Sequence, residues 1–250
     1  MPKSALIVVA LLILSALAWY IIFGNKTRPM PDKTESDPQI QYIPIGDSYT
    51  IGNGVNEFER WPNVLVKNLK AKGIDIELIA NPAVSGYTVE DAIRNELPLV
   101  RKLQPDFVTV LIGANDNFRL KSPKIYSREL IAFLDELQSI LNNPKNIVLI
   151  TIPDYSISPA ASGNNIDGIS KSIEEYNLVI KSEAEKRGLK VADIFPVSQT
   201  MIGADDYIPD GLHPSAQGYG KWEKVISPVV FEFLKNNVAG SGFEPLTLRL

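Results

Sequence analysis

The sequence predicts one three-layer α/β/α domain, a parallel sheet covered by helices on both faces, behind an apolar N-terminal segment. Three observations point there. Runs rich in β-formers alternate five times with amphipathic helical patterns, which implies right-handed βαβ crossovers. Strand candidates such as Val108-Thr109-Val110-Leu111-Ile112 are nearly continuous in apolar residues, as strands buried on both faces are. At 250 residues and 45% hydrophobic, the chain can build a single larger core, and no period of 20 to 50 residues marks it as a repeat protein.

Taken in order, residues 5–23 come first, 19 residues without a charge. As a helix at ~1.5 Å per residue they cross a bilayer's hydrocarbon core. Lys3 precedes the run, and Trp19 and Tyr20 stand near its far end, where amphipathic rings favour the headgroup level. Residues 1–24 are therefore expected to be a signal anchor, a transmembrane helix that tethers an extracytoplasmic domain. Cleavage near Ala18, releasing a secreted domain, is the alternative, whereas a buried core helix would show the polar stripe this run lacks. Residues 25–37, with Pro29, Pro31 and mixed charge, read as a linker.

The domain proper is expected over 38–237. Strands fall at 39–45, 76–80, 107–113, 147–151 and 189–194, and helices at 61–72, 89–102, 127–141, 170–187 and 216–236. Pro44 lacks a ladder donor and is expected at the first strand's end or at a bulge. Residues 238–250, with Gly240, Gly242 and Pro245, read as a disordered tail. The string Gly242-Phe243-Glu244-Pro245 is one that translation of a tRNA gene's T-loop can yield.

Composition removes several function classes. The balance of 25 Lys+Arg against 29 Asp+Glu, net −4, offers no basic excess, so nucleic acid is not an expected partner. There is no Cys, hence no disulfide, thiolate metal site or Cys nucleophile. His213 is the one histidine: any imidazole chemistry uses it, and a zinc site built on several His is excluded. No metal is expected, and nothing in the sequence specifies an oligomeric state.

In parallel α/β sheets ligands bind outside the carboxyl ends of the strands. Four polar clusters fall on such loops: Gly46-Asp47-Ser48-Tyr49-Thr50, Asn81-Pro82-Ala83-Val84-Ser85-Gly86, Gly113-Ala114-Asn115-Asp116 and Asp210-Gly211-Leu212-His213-Pro214. Each alone has a plain structural use. Ser48 suits a helix N-cap, His213 a turn, and Asn115 an Asx turn, which is the reading for Asp116. Gly86 suits a left-handed turn before the capping pair Thr88 and Asp91. Asp154, on another strand-end loop, reads as a turn residue with substrate contact as the alternative. All four clusters, in order and each on a strand-end loop, are much harder to obtain by accident.

Together they resemble the SGNH or GDSL hydrolase superfamily, whose four blocks supply Ser, Gly, Asn and His, over about residues 40–235. The resemblance implies a flavodoxin-like five-stranded sheet and ester hydrolysis through a covalent acyl-serine, with no cofactor. Tyr49 stands where the family's name places Leu, at a position that does no chemistry. The residues read by themselves give the same roles. A serine hydroxyl is a weak nucleophile until a base takes its proton, and His213 is the available imidazole for Ser48. Asp210, three residues earlier, can accept the Nδ1 proton and fix the tautomer. The backbone N–H groups of Ser48 and Gly86 and the Asn115 amide would form the oxyanion hole.

The substrate is expected to be a small-molecule, lipid or glycan ester, and the anchor hints at lysophospholipids or cell-envelope acyl groups. Loop 154–169, with Ser156, Ser158, Ser162, Gly163 and Gly168, reads as a mobile cover. Two other classes compete. A flavodoxin-like module could hold an FMN phosphate on Ser48, Thr50 and Gly52, although it lacks a Thr-Gly pair and leaves Asp210 to His213 unexplained. A catalytically silent glycan-binding domain is the other.

Overall fold

A computed structural model of the protein describes residues 39–161 and 166–238. The expected anchor at 1–24, the linker at 25–37 and the tail beyond 238 lie outside the described residues. Among the described residues no helix is long and apolar enough to cross a membrane.

Five strands, β1 (Ile40–Gly46), β2 (Ile76–Leu78), β3 (Phe107–Leu111), β4 (Ile147–Ile150) and β5 (Lys190–Ala192), form one sheet in the order β2-β1-β3-β4-β5. Every pairing is parallel. The five-stranded α/β/α architecture is thus the expected one, and the order reverses between β1 and β3, the crevice where such sheets bind ligands. All residues of β3 and β4 are buried, as their unbroken apolar runs require.

The helices are α1 (Ser48–Ile51), α2 (Trp61–Ala71), α3 (Val89–Asn95), α4 (Leu97–Leu103), α5 (Ala114–Phe118), α6 (Pro123–Ile140), α7 (Ile166–Arg187), α8 (Phe195–Ser198) and α9 (Ala216–Val238). Helices α2 and α9 pack together in one layer; α3, α4, α6 and α7 make the other. Each long helix buries the stripe that its 3.6-residue period brings to one side: Trp61, Leu65 and Leu69 on α2, and Tyr219, Trp222, Ile226, Val230 and Phe233 on α9. Rings tie the layers to the sheet, Phe107 of β3 lying 5.4 Å from Tyr42 and 5.7 Å from Phe233 between centroids.

Three expectations need correction. Pro44 sits inside β1, opposite Thr109 of β3, neither at a bulge nor at the end. The Ile40 N–H and the Tyr42 carbonyl are bonded on the β2 side, so Pro44, next in that alternation, faces the same side one step past the last β1–β2 pair. Its missing donor falls where β2 leaves the ladder, so no bond is lost. The helix expected over 89–102 is two helices that meet at Glu96, because Pro98 in the first turn of α4 has no N–H to continue the helix and its ring crowds the preceding turn. Helix α6 begins four residues before its expected start, at Pro123, with Ser122 capping the Ile125 N–H. The short helices α1 and α5 were not expected, since four or five residues carry no readable period.

Candidate active site

Beyond the carboxyl ends of β1 and β3, one pocket of about 190 Å³ is lined by Ser48, Gly86, Asn115 and His213, with Tyr49, Phe118, Tyr155 and Leu212 completing its wall. Residues from the four sequence-distant clusters therefore meet at one pocket, and Asp210 stands directly behind His213.

The serine is presented by a tight strand-to-helix turn. Gly46 ends β1 so close to β3 that a Cβ there would run into the Leu111 carbonyl and the Thr50 side chain. Asp47, not Ser48, caps α1: its carboxylate accepts the Tyr49 N–H at 3.0 Å. Ser48 is thus released from capping and is the first residue of α1, its hydroxyl at the pocket. Burial pushes the Asp47 carboxyl up to about 7, helped by the nearby Asp116 charge and opposed by the hydrogen bonds it accepts. Below it Glu96, at the α3–α4 junction, accepts the Gly46 N–H at 3.1 Å, and burial pushes its carboxyl up to about 8. Thr50 is fully buried, so Ser48, Thr50 and Gly52 do not make the open phosphate cradle an FMN module needs.

The histidine loop is held by its own carboxylate. Asp210 Oδ1 accepts the N–H groups of Leu212 at 2.8 Å and His213 at 3.0 Å, and Oδ2 lies 2.6 Å from His213 Nδ1. Burial works against ionisation of Asp210, but these three donors outweigh it and hold the carboxyl below the usual range. With Nδ1 committed, Nε2 is the nitrogen left for proton transfer. Tyr49 adds a support that its side position in the motif did not advertise: its buried ring lies 5.7 Å from the imidazole and 5.4 Å from the Trp222 ring. Among the described residues no hydrogen bond joins the Ser48 hydroxyl to His213; such bonds often tighten only around substrate.

Helix α5 arranges the remaining donors. The Asn115 amide donates to the Tyr87 carbonyl at 3.0 Å and to Asp47 Oδ2 at 3.2 Å. Asp116 is not an Asx-turn residue but a buried clamp, accepting the Val89 N–H at 3.0 Å and pairing with Lys121 at 2.9 Å. Arg119 donates to the Gly86 carbonyl at 2.9 Å. Three contacts, from Asn115 and Asp116 of α5 and from Arg119 just after it, thus fix the segment from Gly86 to Val89, where Gly86 sits at φ +86°. Asp154 also serves structure: buried, it accepts bonds from Ser156, Ser170 and Gln199 and fastens its loop to α7 and to the segment after α8. Of loop 154–169, residues 155–157 and 159–161 form 3-10 turns, and residues 162–165 lie outside the description. Among the described residues no cluster of three or more His, Cys, Asp or Glu could hold a metal ion.

The family model of the GDSL-like lipase/acylhydrolase family matches residues 45–221, which include Ser48, Gly86, Asn115, Asp210 and His213. The chain belongs to that family. Its class is that of the ester-bond hydrolases. A multidomain esterase of Ruminococcus flavefaciens is 31% identical over 140 residues, 54% of this chain and 17% of that protein. An arylesterase of Vibrio mimicus is 28% identical over 69% of this chain and 79% of its own length. Among solved structures, a psychrotrophic esterase from a Pseudoalteromonas species superposes with TM-score 0.63 at 21% identity, over 79% of this chain and all of the other. An acetyl-xylooligosaccharide esterase from Geobacillus gives 0.61 at 23% identity, over 82% and 95%. These two show a shared fold.

Proposed function

We propose that the domain is a serine esterase or acylhydrolase that cleaves carboxylic esters through an acyl-serine intermediate. The observation that carries the reading is the 2.6 Å Asp210–His213 pair facing a pocket that also holds Ser48. Ser48 Oγ attacks the ester carbonyl while His213 Nε2 takes its proton, and His213 then gives that proton to the leaving alkoxide. Water, activated by the same nitrogen, hydrolyses the acyl-serine and restores the hydroxyl. The developing oxyanion is met by the N–H groups of Ser48 and Gly86 and by the Asn115 amide. Both amide hydrogens of Asn115 are engaged in the free protein, and the longer bond, to Asp47, is the one an oxyanion would draw on.

Replacing Ser48 by Ala tests this: hydrolysis of a p-nitrophenyl ester should vanish while thermal unfolding stays unchanged, and retained turnover would refute it. With residues 1–24 as the anchor, the enzyme would work tethered to a membrane on its exported side. Nineteen uncharged residues support that reading, and protection of the domain from protease on the exported side of intact cells would refute it.

A further inference from the structure

Beside the Ser48 pocket lies a larger cavity of about 480 Å³, and the two share Phe118, Tyr155 and Leu212 as a common wall. Its three polar side chains bond one another in a chain. The Tyr155 hydroxyl donates to Asn117 Oδ1 at 2.6 Å, and Asn117 Nδ2 donates to the Ser172 hydroxyl at 2.8 Å. What remains is hydrocarbon, including Leu120 and Ile169. Leu120 is doubly unfavourable where it stands. A bulky residue at φ +58° is strained, and its side chain is 90% exposed. Phe118 beside it is 71% exposed. The turn that holds them is determined from several sides: the Leu120 N–H bonds the Asn117 carbonyl, the Lys121 N–H bonds Asp116, and the Tyr176 hydroxyl bonds the Lys121 carbonyl at 2.6 Å. Backbone strain and exposed apolar surface held together by surrounding bonds mark a ligand-facing position.

We propose that this cavity is the acyl-chain chamber of the enzyme, so that its substrates are esters of linear, medium-length fatty acyl groups rather than acetyl esters. The proposal rests on the esterase reading above and adds the side chains that select the acyl group. An acyl carbon chain attached at Ser48 reaches the chamber past the shared wall of Phe118, Tyr155 and Leu212. Each methylene it buries there strengthens binding, and cavities of this size hold a small organic ligand.

The test is kcat/KM of the full-length protein on p-nitrophenyl acetate, butyrate and octanoate, and on octyl against ethyl acetate. The chamber predicts about fourfold per added acyl methylene, so octanoate should exceed butyrate on the order of a hundredfold. Leu120→Asn should lower the octanoate-to-acetate ratio while raising the melting temperature, since Asn adopts the left-handed conformation more readily. Ala160→Phe, which fills the cavity from an exposed position, should lower the same ratio. A flat or falling acyl-length profile overturns the chamber and leaves the esterase reading intact. So does a chain preference confined to octyl acetate, or an octanoate preference that neither variant changes. Failure to hydrolyse any ester overturns both.

Discussion

The central geometry rests on one carboxylate that does three things at once. Asp210 ties two backbone N–H groups with one oxygen and the imidazole with the other, so Asp210→Asn should damage orientation more than folding. We expect kcat to fall by about 10³–10⁴ with little change in melting temperature; a loss under tenfold in steady-state kinetics would remove Asp210 from its role. Asn115→Ala should lower kcat by about 10²–10³ with a smaller change in KM, because the oxyanion exists only in the transition state. The candidate residues were legible because the motifs holding Ser48, Gly86 and Asn115 interrupt apolar patterns on the loops that follow β1, β2 and β3, and because His213 is the chain's one histidine. Tyr49, Glu96 and Asp116 were not. Their functions depend on what lies opposite them in space: a ring under the imidazole, a carboxyl under Gly46, a clamp on the N–H of Val89. A short polar run in sequence contains none of that.

Among the elements, the strand-to-helix turn between β1 and α1 has the least room for change. A Cβ on Gly46 would meet the backbone of β3 as well as Thr50, and backbone cannot rotate aside. Gly46→Ala is therefore expected to destabilise the protein by about 1–3 kcal/mol, the usual cost of overpacking; a chemical denaturation midpoint equal to that of the wild type would contradict the packing described here. The central strands β1, β3 and β4 and the long helices were readable because burial on both faces and one-sided stripes leave strong patterns, while the edge strands β2 and β5 are short and partly exposed. What escaped did so for local reasons. Pro98 breaks a pattern whose apolar spacing runs on through it, Pro44 is harmless only because β2 is short, and α1 and α5 are shorter than two turns.

On the scale of the whole molecule, the sheet order places the switch point between β1 and β3, and the candidate catalytic residues arrive there from loops 46–50, 81–86, 113–116 and 210–214. The fold buries carboxyl groups, Asp47 and Glu96 beneath the Ser48 turn and Glu223 where α9 meets Asn68 of α2. Burial raises Asp47 to about 7, Glu96 to about 8 and Glu223 to about 7, so the folded state holds protons that the unfolded chain releases near pH 4. The sign follows: their contribution is most favourable below about pH 4 and is lost as pH rises toward 8. Melting temperature should accordingly fall less between pH 5 and pH 8 in Glu96→Gln than in the wild type, and equal falls would contradict the assignment of Glu96. The claim on which everything else depends is the nucleophile. The measurement that reaches it most directly is mass spectrometry of the full-length protein after treatment with an alkyl fluorophosphonate. One adduct, on the peptide carrying Ser48 and absent in both Ser48→Ala and His213→Ala, is the predicted result; an adduct on another residue, or undiminished ester turnover in Ser48→Ala, would contradict it.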